Sequence, residues 1–153
     1  MRAINHALTG AVIGLTITEP IVAVPVAFVS HYVLDIIPHH GSNLTGVSLL
    51  NSLWFRWLLV VDAFLCVLLV FVLAIARPKH WLLAAICAFV AAAPDLASIR
   101  RYRLARRHET FQLNWYERIA KDIQWFERPI GAIVEVIWAI AMIVILLTIT
   151  RKG

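Results

Sequence analysis

Charged residues are scarce in this chain of 153 residues: 15% are Asp, Glu, Lys or Arg, whereas 61% are hydrophobic. A soluble domain is about one quarter charged and about half apolar, so this composition excludes an ordinary water-soluble or disordered protein. It predicts an integral membrane protein. At this length we expect one transmembrane domain over residues 1–153, with room for roughly four to six helices of about 20 residues each.

Cysteine is also scarce, with Cys66 and Cys87 each inside an apolar run. Neither a disulfide framework nor a cysteine zinc site is indicated.

The sequence also lacks the Gly-rich phosphate-binding motifs, HExxH and GxSxG, and therefore gives no support to nucleotide binding, zinc proteolysis of that type or serine hydrolysis. The formal net charge is +5, but Lys and Arg accumulate in the cytoplasmic loops of membrane proteins for topological reasons. Nucleic acid is therefore not predicted as a partner.

Apolar stretches along the chain predict five helices. They cover about residues 5–18, 20–37, 57–76, 81–98 and 129–150. The first two are expected to form a short hairpin, because Thr18, Glu19 and Pro20 supply a turn within an apolar stretch. A single tilted span over residues 7–37 is the alternative. The predicted fold is an all-α, multi-pass transmembrane bundle of about five spans.

Positive charge is concentrated between residues 99 and 128, where eight Arg or Lys stand against four acidic residues. Apolar residues recur there at three- and four-residue spacing, opposite the basic residues. We expect an amphipathic helix over residues 100–128 on the membrane surface, with Trp115 and Trp125 at headgroup depth. Its charge predicts a cytoplasmic location, which places the amino terminus and the loop 38–56 inside and the carboxyl terminus outside.

Eight ionisable residues lie within or beside the predicted spans, where such groups are costly and usually have a function or a partner. They are His6, His31, Asp35, His39, His40, Asp62, Asp95 and Glu135. In the five-span topology all of them fall towards the cytoplasmic side, which predicts one shared polar cavity. For Asp62 and Glu135, which have no neighbouring histidine, hydrogen bonding between helices is the favoured role.

The most specific chemical pattern is the spacing of His31, Asp35 and His39, four residues apart, which places three side chains on one face of an unbroken helix. Imidazole nitrogens and carboxylate oxygens are ligands that zinc and similar divalent metals take. Pro38 is expected to end the helix near Ile37, so that His39 follows the helix end. For His31 and Asp35, a hydrogen-bonded pair that ties two helices together is the alternative interpretation.

His6 and Asp95 are the other candidate residues. His6 shares a helical stripe with Gly10 and Gly14, whose spacing lets another helix approach closely and would bring the imidazole against the second helix. An interfacial histidine without chemistry is the alternative. Asp95 follows three alanines and a proline that bends the span. It is a candidate ligand or general base, and otherwise a cap or a partner for the arginines that follow.

The histidine and aspartate pattern of the first 40 residues resembles a known family. His6-xxx-Gly10, followed by the run from His31 to His39, is similar to the small multi-pass bacterial proteins described as LexA-binding, inner-membrane-associated metal-dependent hydrolases. Residues 93–95 echo the Pro-Asp element of that family. The resemblance implies a multi-pass protein of the inner membrane that binds a divalent metal. The Gly-x-Thr-His-Ser element typical of the family does not occur in this sequence.

These features together predict a membrane-embedded, metal-dependent hydrolase at the cytoplasmic membrane face. The predicted ligands of zinc, or of manganese, are His6, His31, Asp35 and His39. Asp95 is predicted to accept a proton from the metal-activated water. The arginines from 100 to 107 would attract an anionic lipid headgroup, so a lipid phosphoester is the predicted substrate. The alternative is a non-enzymatic membrane scaffold or a small ion or metal carrier, with the same residues as helix contacts or as an ion path.

Overall fold

The computed structural model describes residues 1–40, 52–106 and 130–152, together with Trp115 and Arg118. This part of the chain forms five α-helices and contains no β-strand. Their bounds are Ala3–Thr16 for α1, Pro20–Ile36 for α2, Leu53–Ala76 for α3, Trp81–Arg106 for α4 and Gly131–Lys152 for α5. The all-α fold predicted from composition is confirmed.

The apolar stretch near the amino terminus folds as two helices. α1 ends at Thr16, and α2 begins at Pro20, in the first helical turn, where the missing N–H of proline has no helical partner to lose. α2 ends at Ile36, shortly before Pro38, as the restriction on residues preceding proline predicts. α1 has 14 residues and α2 has 17, so their lengths are about 21 and 25 Å. Both are shorter than the hydrocarbon core of a bilayer, which is about 30 Å thick.

Among the residues that the structure describes, two helices are long and apolar enough to cross a membrane, over Leu53–Ala76 and Gly131–Arg151. Most of their large apolar side chains are exposed on the surface of the bundle. The three other apolar helices, over Ala3–Thr16, Pro20–Ile36 and Trp81–Leu96, are shorter. Of the five predicted spans, two therefore satisfy the length and composition of a membrane-crossing helix.

α4 extends further than the helix predicted over residues 81–98. It continues through Pro94 to Arg106, so residues 100–106 extend the fourth helix and do not begin a separate interfacial helix. The residues that follow the apolar part of α4 are mostly good helix formers, and no glycine or second proline interrupts them. Trp115 and Arg118 are helical and exposed. The rest of the predicted amphipathic helix lies outside the described residues.

α1 lies at the centre of the bundle and contacts each of the other four helices, most extensively α4. A Cβ atom added at Gly10 would overlap the carbonyl group of Cys87, and one added at Gly14 would overlap the backbone of Ala84. The closeness of the two backbones explains why alanines dominate the buried contacts between α1 and α4. The two glycines thus let α1 approach α4, whereas the sequence had suggested α2 as the partner of this face.

We expect Gly14→Val to lower the free energy of unfolding by about 1–3 kcal/mol, because the added methyl groups must displace the α4 backbone. The measurement is thermal unfolding in detergent, followed by far-ultraviolet circular dichroism. The matched control is Ala76→Val at the exposed end of α3, which adds volume without a close neighbour and should leave Tm unchanged. Equal Tm values for Gly14→Val and the unaltered protein would contradict the close approach of α1 and α4.

Candidate metal centre

A buried polar cluster lies where the amino end of α1 meets α2, α3 and α4. Its ionisable side chains are His6, His31, Asp35, Asp62 and Asp95. The side chain of His6 is 0% exposed and that of Asp35 is 4% exposed. Asp62 follows the start of α3 at Leu53 by nine residues, so the cluster lies about 13 Å along that helix. The cluster is therefore recessed from the end of α3.

Within this cluster, His6, His31 and Asp95 bring their ligand atoms within 4.8 Å of one another. The three residues come from three different helices, α1, α2 and α4. The two imidazole rings are stacked, with centroids 4.0 Å apart and an interplanar angle of 28°. Two imidazoles and one carboxylate form a donor set that zinc accepts in proteins. We refer to these three residues as the ligand group.

His31 is oriented by a backbone carbonyl. Its Nδ1 lies 2.8 Å from the carbonyl oxygen of Ala91, and because a carbonyl accepts only, Nδ1 must carry the hydrogen. In the neutral imidazole the lone pair is then on Nε2, the same arrangement that orients histidines bound to metals. Nε2 lies 3.4 Å from Oδ2 of Asp35. These two electron-rich atoms face each other, which favours a proton or a cation beside them.

His6 is fully buried, and neither of its ring nitrogens makes a hydrogen bond with the residues that the structure describes. Its Nε2 does lie 3.3 Å from Oδ1 of Asp35. A buried polar atom without a hydrogen bond costs about 1–3 kcal/mol, and such groups in native proteins often have a functional reason. The ring of His6 therefore has bonding capacity that the described residues leave unused, at a position where a metal ion could be held.

Asp35 lies beside both histidines, but its carboxylate already has a cationic partner. The α-amino group of Met1, which is buried, donates a hydrogen bond to Oδ1 of Asp35. The carboxylate therefore balances the charge of the amino terminus and contacts the two imidazoles. The sequence spacing assigned Asp35 as a metal ligand and Asp95 as the proton acceptor. In the structure Asp95, and not Asp35, lies in the ligand group with His6 and His31, and the assignment of Asp35 as a metal ligand stays a prediction.

His39 is buried but does not belong to the ligand group. Pro38 ends α2, and the chain then carries His39 to the start of α5, where a Cβ atom on Gly131 would overlap its backbone. Nδ1 of His39 lies 2.8 Å from the carbonyl oxygen of Ile37. The helical spacing no longer applies after Pro38, as expected, and the role of His39 as a ligand of the same ion stays a prediction.

A second set of polar contacts links α1 to the start of α5. Asn5 donates from Nδ2 to the carbonyl oxygen of Glu135 at 3.3 Å. The backbone N–H of His40 donates to Oε1 of Glu135 at 3.2 Å, and further along the helix Trp138 donates from Nε1 to Thr9 Oγ1 at 3.0 Å. The backbone carbonyl of Glu135 thus bonds α1, whereas its side chain bonds the segment that follows α2, so a side-chain hydrogen bond between two helices stays a prediction.

Asp62 of α3 caps the amino end of α1. Its Oδ2 accepts from the N–H of Ala3 at 2.9 Å, and its Oδ1 accepts from the N–H of Ile4 at 3.4 Å. The first N–H groups of a helix have no partner within the helix, so a carboxylate from α3 satisfies them. Nε of Arg2 lies 3.4 Å from Oδ1 of the same carboxylate. The sequence reasoning missed Arg2, because a single arginine before a helix has no distinctive spacing.

Comparisons of the chain with protein-family models, with curated proteins and with solved structures give no match. The family resemblance of the amino-terminal motif therefore stays a prediction. The geometry of the ligand group carries the functional conclusion.

Proposed function

We propose that the protein is a multi-pass inner-membrane, metal-dependent hydrolase that binds zinc or manganese through His6, His31 and Asp95. The supporting observation is that the ligand atoms of the two buried imidazoles and the carboxylate lie within 4.8 Å of one another, while the ring nitrogens of His6 make no hydrogen bond with the described residues. Catalytic zinc sites have three protein ligands and leave a further position for water or substrate. A group of three ligands fits this requirement.

The distribution of charge in the cluster also supports a divalent cation. Asp35 is paired with the amino group of Met1, and Asp62 is paired with Arg2. Among the described side chains, Asp95 has no ion pair of this kind, and its carboxylate is half-buried, where a negative charge is more favourable beside a cation. A divalent ion bound by two neutral imidazoles and one carboxylate keeps one net positive charge, which favours an anionic oxygen as the next ligand.

These positions also support the hydrolytic reaction of the proposal. A divalent ion in the ligand group would lower the pKa of a coordinated water towards neutrality. Asp35 lies 3.3 Å from His6 and 3.4 Å from His31, so in this proposal it is a positioning residue that fixes the two imidazoles. The other ring nitrogen of His31, Nδ1, is bound to the carbonyl oxygen of Ala91, which also fixes the orientation of the ring.

The depth of the polar cluster, measured at Asp62, favours a lipid as the substrate. Trp54 and Trp57, near the start of α3, are 71% and 64% exposed, as is typical of tryptophans at a membrane interface. Asp62 lies five residues beyond Trp57, which is about 7 Å further along the helix. A lipid head can reach a site just below the interface, and the formal net charge of +5 favours an anionic one. We therefore propose a lipid phosphoester at the cytoplasmic leaflet.

Metal analysis tests the proposal. Protein purified in mild detergent without chelators is expected to contain near-stoichiometric zinc or manganese, measured by inductively coupled plasma mass spectrometry. His6→Ala should lose most of it, because His6 supplies one of three ligands. His40→Ala changes an exposed histidine outside the group and should retain the metal.

The opposite result favours a different function. If the unaltered protein contains no metal and binds none when zinc is added, the hydrolase proposal fails. The non-enzymatic scaffold is then favoured, with Asp35, Asp62 and Glu135 serving as contacts between helices. A carrier is less consistent with this arrangement, because it needs polar groups at several depths, whereas the described cluster lies towards one end of α3.

Cysteine labelling tests the membrane topology. The charge bias predicts that the segment before α3 is cytoplasmic and that the turn after α3 is external. With Cys66 and Cys87 replaced by alanine, Lys79→Cys should react with a membrane-impermeant maleimide in intact spheroplasts, and Arg56→Cys should react only after permeabilisation. Both positions are exposed. Labelling of both from the same side would contradict a membrane-crossing α3.

A further inference from the structure

The guanidinium group of Arg2 has unused hydrogen-bonding capacity beside Asp62. A guanidinium carries five N–H donors in a planar fork and commonly binds a carboxylate through two parallel hydrogen bonds. Arg2 approaches Asp62 with Nε, at 3.4 Å. Its terminal Nη2 is buried and makes no hydrogen bond within the part of the chain that the structure describes. This donor is therefore oriented inward without a partner.

Asp62 is poorly suited to satisfy the remaining donor. Its Oδ2 accepts from the N–H of Ala3 at 2.9 Å, and its Oδ1 serves both Ile4 and Nε of Arg2. The carboxylate thus holds the side chain of Arg2 in place through Nε while its oxygens are engaged with α1. The side chain of Arg2 is 33% exposed. Its Nε is held by Asp62, and its Nη2 is free to donate to a further acceptor.

Arg2 is also close to the ligand group along the chain. The N–H of His6 lies 3.4 Å from the carbonyl oxygen of Arg2, so the two residues are separated by one helical turn. Asp62, which holds Arg2, belongs to α3, and α3 packs against α4, the helix that carries Asp95. Asp62 therefore holds the guanidinium between α1, which carries His6, and a helix that packs against the one carrying Asp95.

We propose that Arg2 is the phosphate-binding residue of this site and selects substrates with a phosphate group over neutral carboxylic esters. The inference rests on the proposed function, since it extends that site to the group which recognises the substrate. Guanidinium groups match the oxygens of phosphate in geometry and charge. The phosphate group is the shared chemistry of a lipid headgroup and of free phosphate, and the experiment distinguishes the two.

Binding is measured with the full chain in dodecyl maltoside micelles, which contain no phosphate. One set of measurements titrates inorganic phosphate by calorimetry, and the other adds phosphatidic acid to the micelles and counts bound lipid by native mass spectrometry. Each is made with and without zinc. Arg2→Gln should weaken binding roughly tenfold to a hundredfold, the effect of losing a charged hydrogen bond, and Arg2→Lys should be intermediate. Arg56→Gln, which removes an exposed arginine of α3, is the matched control.

A role in folding alone would give a different pattern. If Arg2 binds phosphate, Arg2→Ala should regain affinity when free guanidinium is added, and its zinc content should equal that of the unaltered protein. Loss of affinity without rescue, together with a fall in Tm equal to that of Asp62→Asn, would overturn the proposal. Equal phosphate and phosphatidic acid affinities in Arg2→Gln and the unaltered protein would overturn it as well.

The remaining outcomes separate this inference from the proposed function. Phosphate binding that depends on Arg2 in a protein that binds no zinc would support the phosphate site and contradict the metal-dependent hydrolase. If the protein binds zinc and its phosphate affinity does not depend on Arg2, the result would support the metal-dependent hydrolase and contradict the phosphate site. Dependence on Arg2 for phosphatidic acid alone supports the site with a lipid headgroup as the source, and dependence for inorganic phosphate alone supports it with free phosphate.

Discussion

Asp95→Asn should weaken zinc binding more than a hundredfold, whereas Asp35→Asn should weaken it about tenfold to a hundredfold, the usual effect of losing a group that orients a metal ligand. Asp95 belongs to the ligand group, so the amide removes a charged ligand. Asp35 is paired with the amino group of Met1 and lies beside the two imidazoles. An asparagine at this position can still accept a hydrogen bond. The measurement is the Kd for zinc, determined by competition with a chelator.

Glu135→Gln is the matched control for this pair, since it makes the same chemical change at a buried carboxylate whose Oε1 binds the backbone of His40. Its Kd for zinc should equal that of the unaltered protein. If Asp35→Asn is the more damaging substitution, Asp35 is the ligand, as the spacing of His31 and Asp35 in the sequence predicts. Equal zinc affinity in all three variants would exclude the ligand group as the zinc site.

The hairpin of α1 and α2 was predictable because local chemistry determines it. Pro20 has no N–H and fits the first turn of a helix, and Pro38 disfavours helical backbone at Ile37, so both ends of α2 follow from proline alone. Composition likewise sufficed for the all-α fold. The continuation of α4 to Arg106 was less predictable, because the change from apolar to basic residues marks a change of environment and does not interrupt a helix.

The members of the ligand group were only partly predictable, because helical spacing describes one helix at a time. The spacing of His31 and Asp35 identified two side chains of the cluster on α2. Asp95 joins them because Gly10 and Gly14 let α1 pack against α4. This contact was not predictable, because the periodicity of α1 does not specify which helix packs against its glycines. The ion pairs of Met1 and Arg2 had no sequence signal, since the residues before α1 form no repeating pattern.

Asp62→Ala is expected to lower the free energy of unfolding by about 3 kcal/mol. The substitution leaves the N–H groups of Ala3 and Ile4 without their acceptor, at about 1–3 kcal/mol for each donor that stays buried. It also removes the partner of Arg2, whose one-third exposure reduces the electrostatic part of the loss. Asp62→Asn should cost less, because an amide oxygen still accepts from Ala3. Chemical unfolding in micelles, followed by circular dichroism, measures the difference.

A double-mutant cycle with Arg2→Gln separates the two roles of Asp62. If the carboxylate both caps α1 and pairs with Arg2, the two single substitutions share one lost interaction, and the double variant should lose less stability than the sum of both. Glu19→Ala, at an exposed carboxylate between α1 and α2, should leave stability unchanged. Strict additivity would mean that Arg2 and Asp62 do not interact, and the inward orientation of the guanidinium would then lack the contact that fixes it.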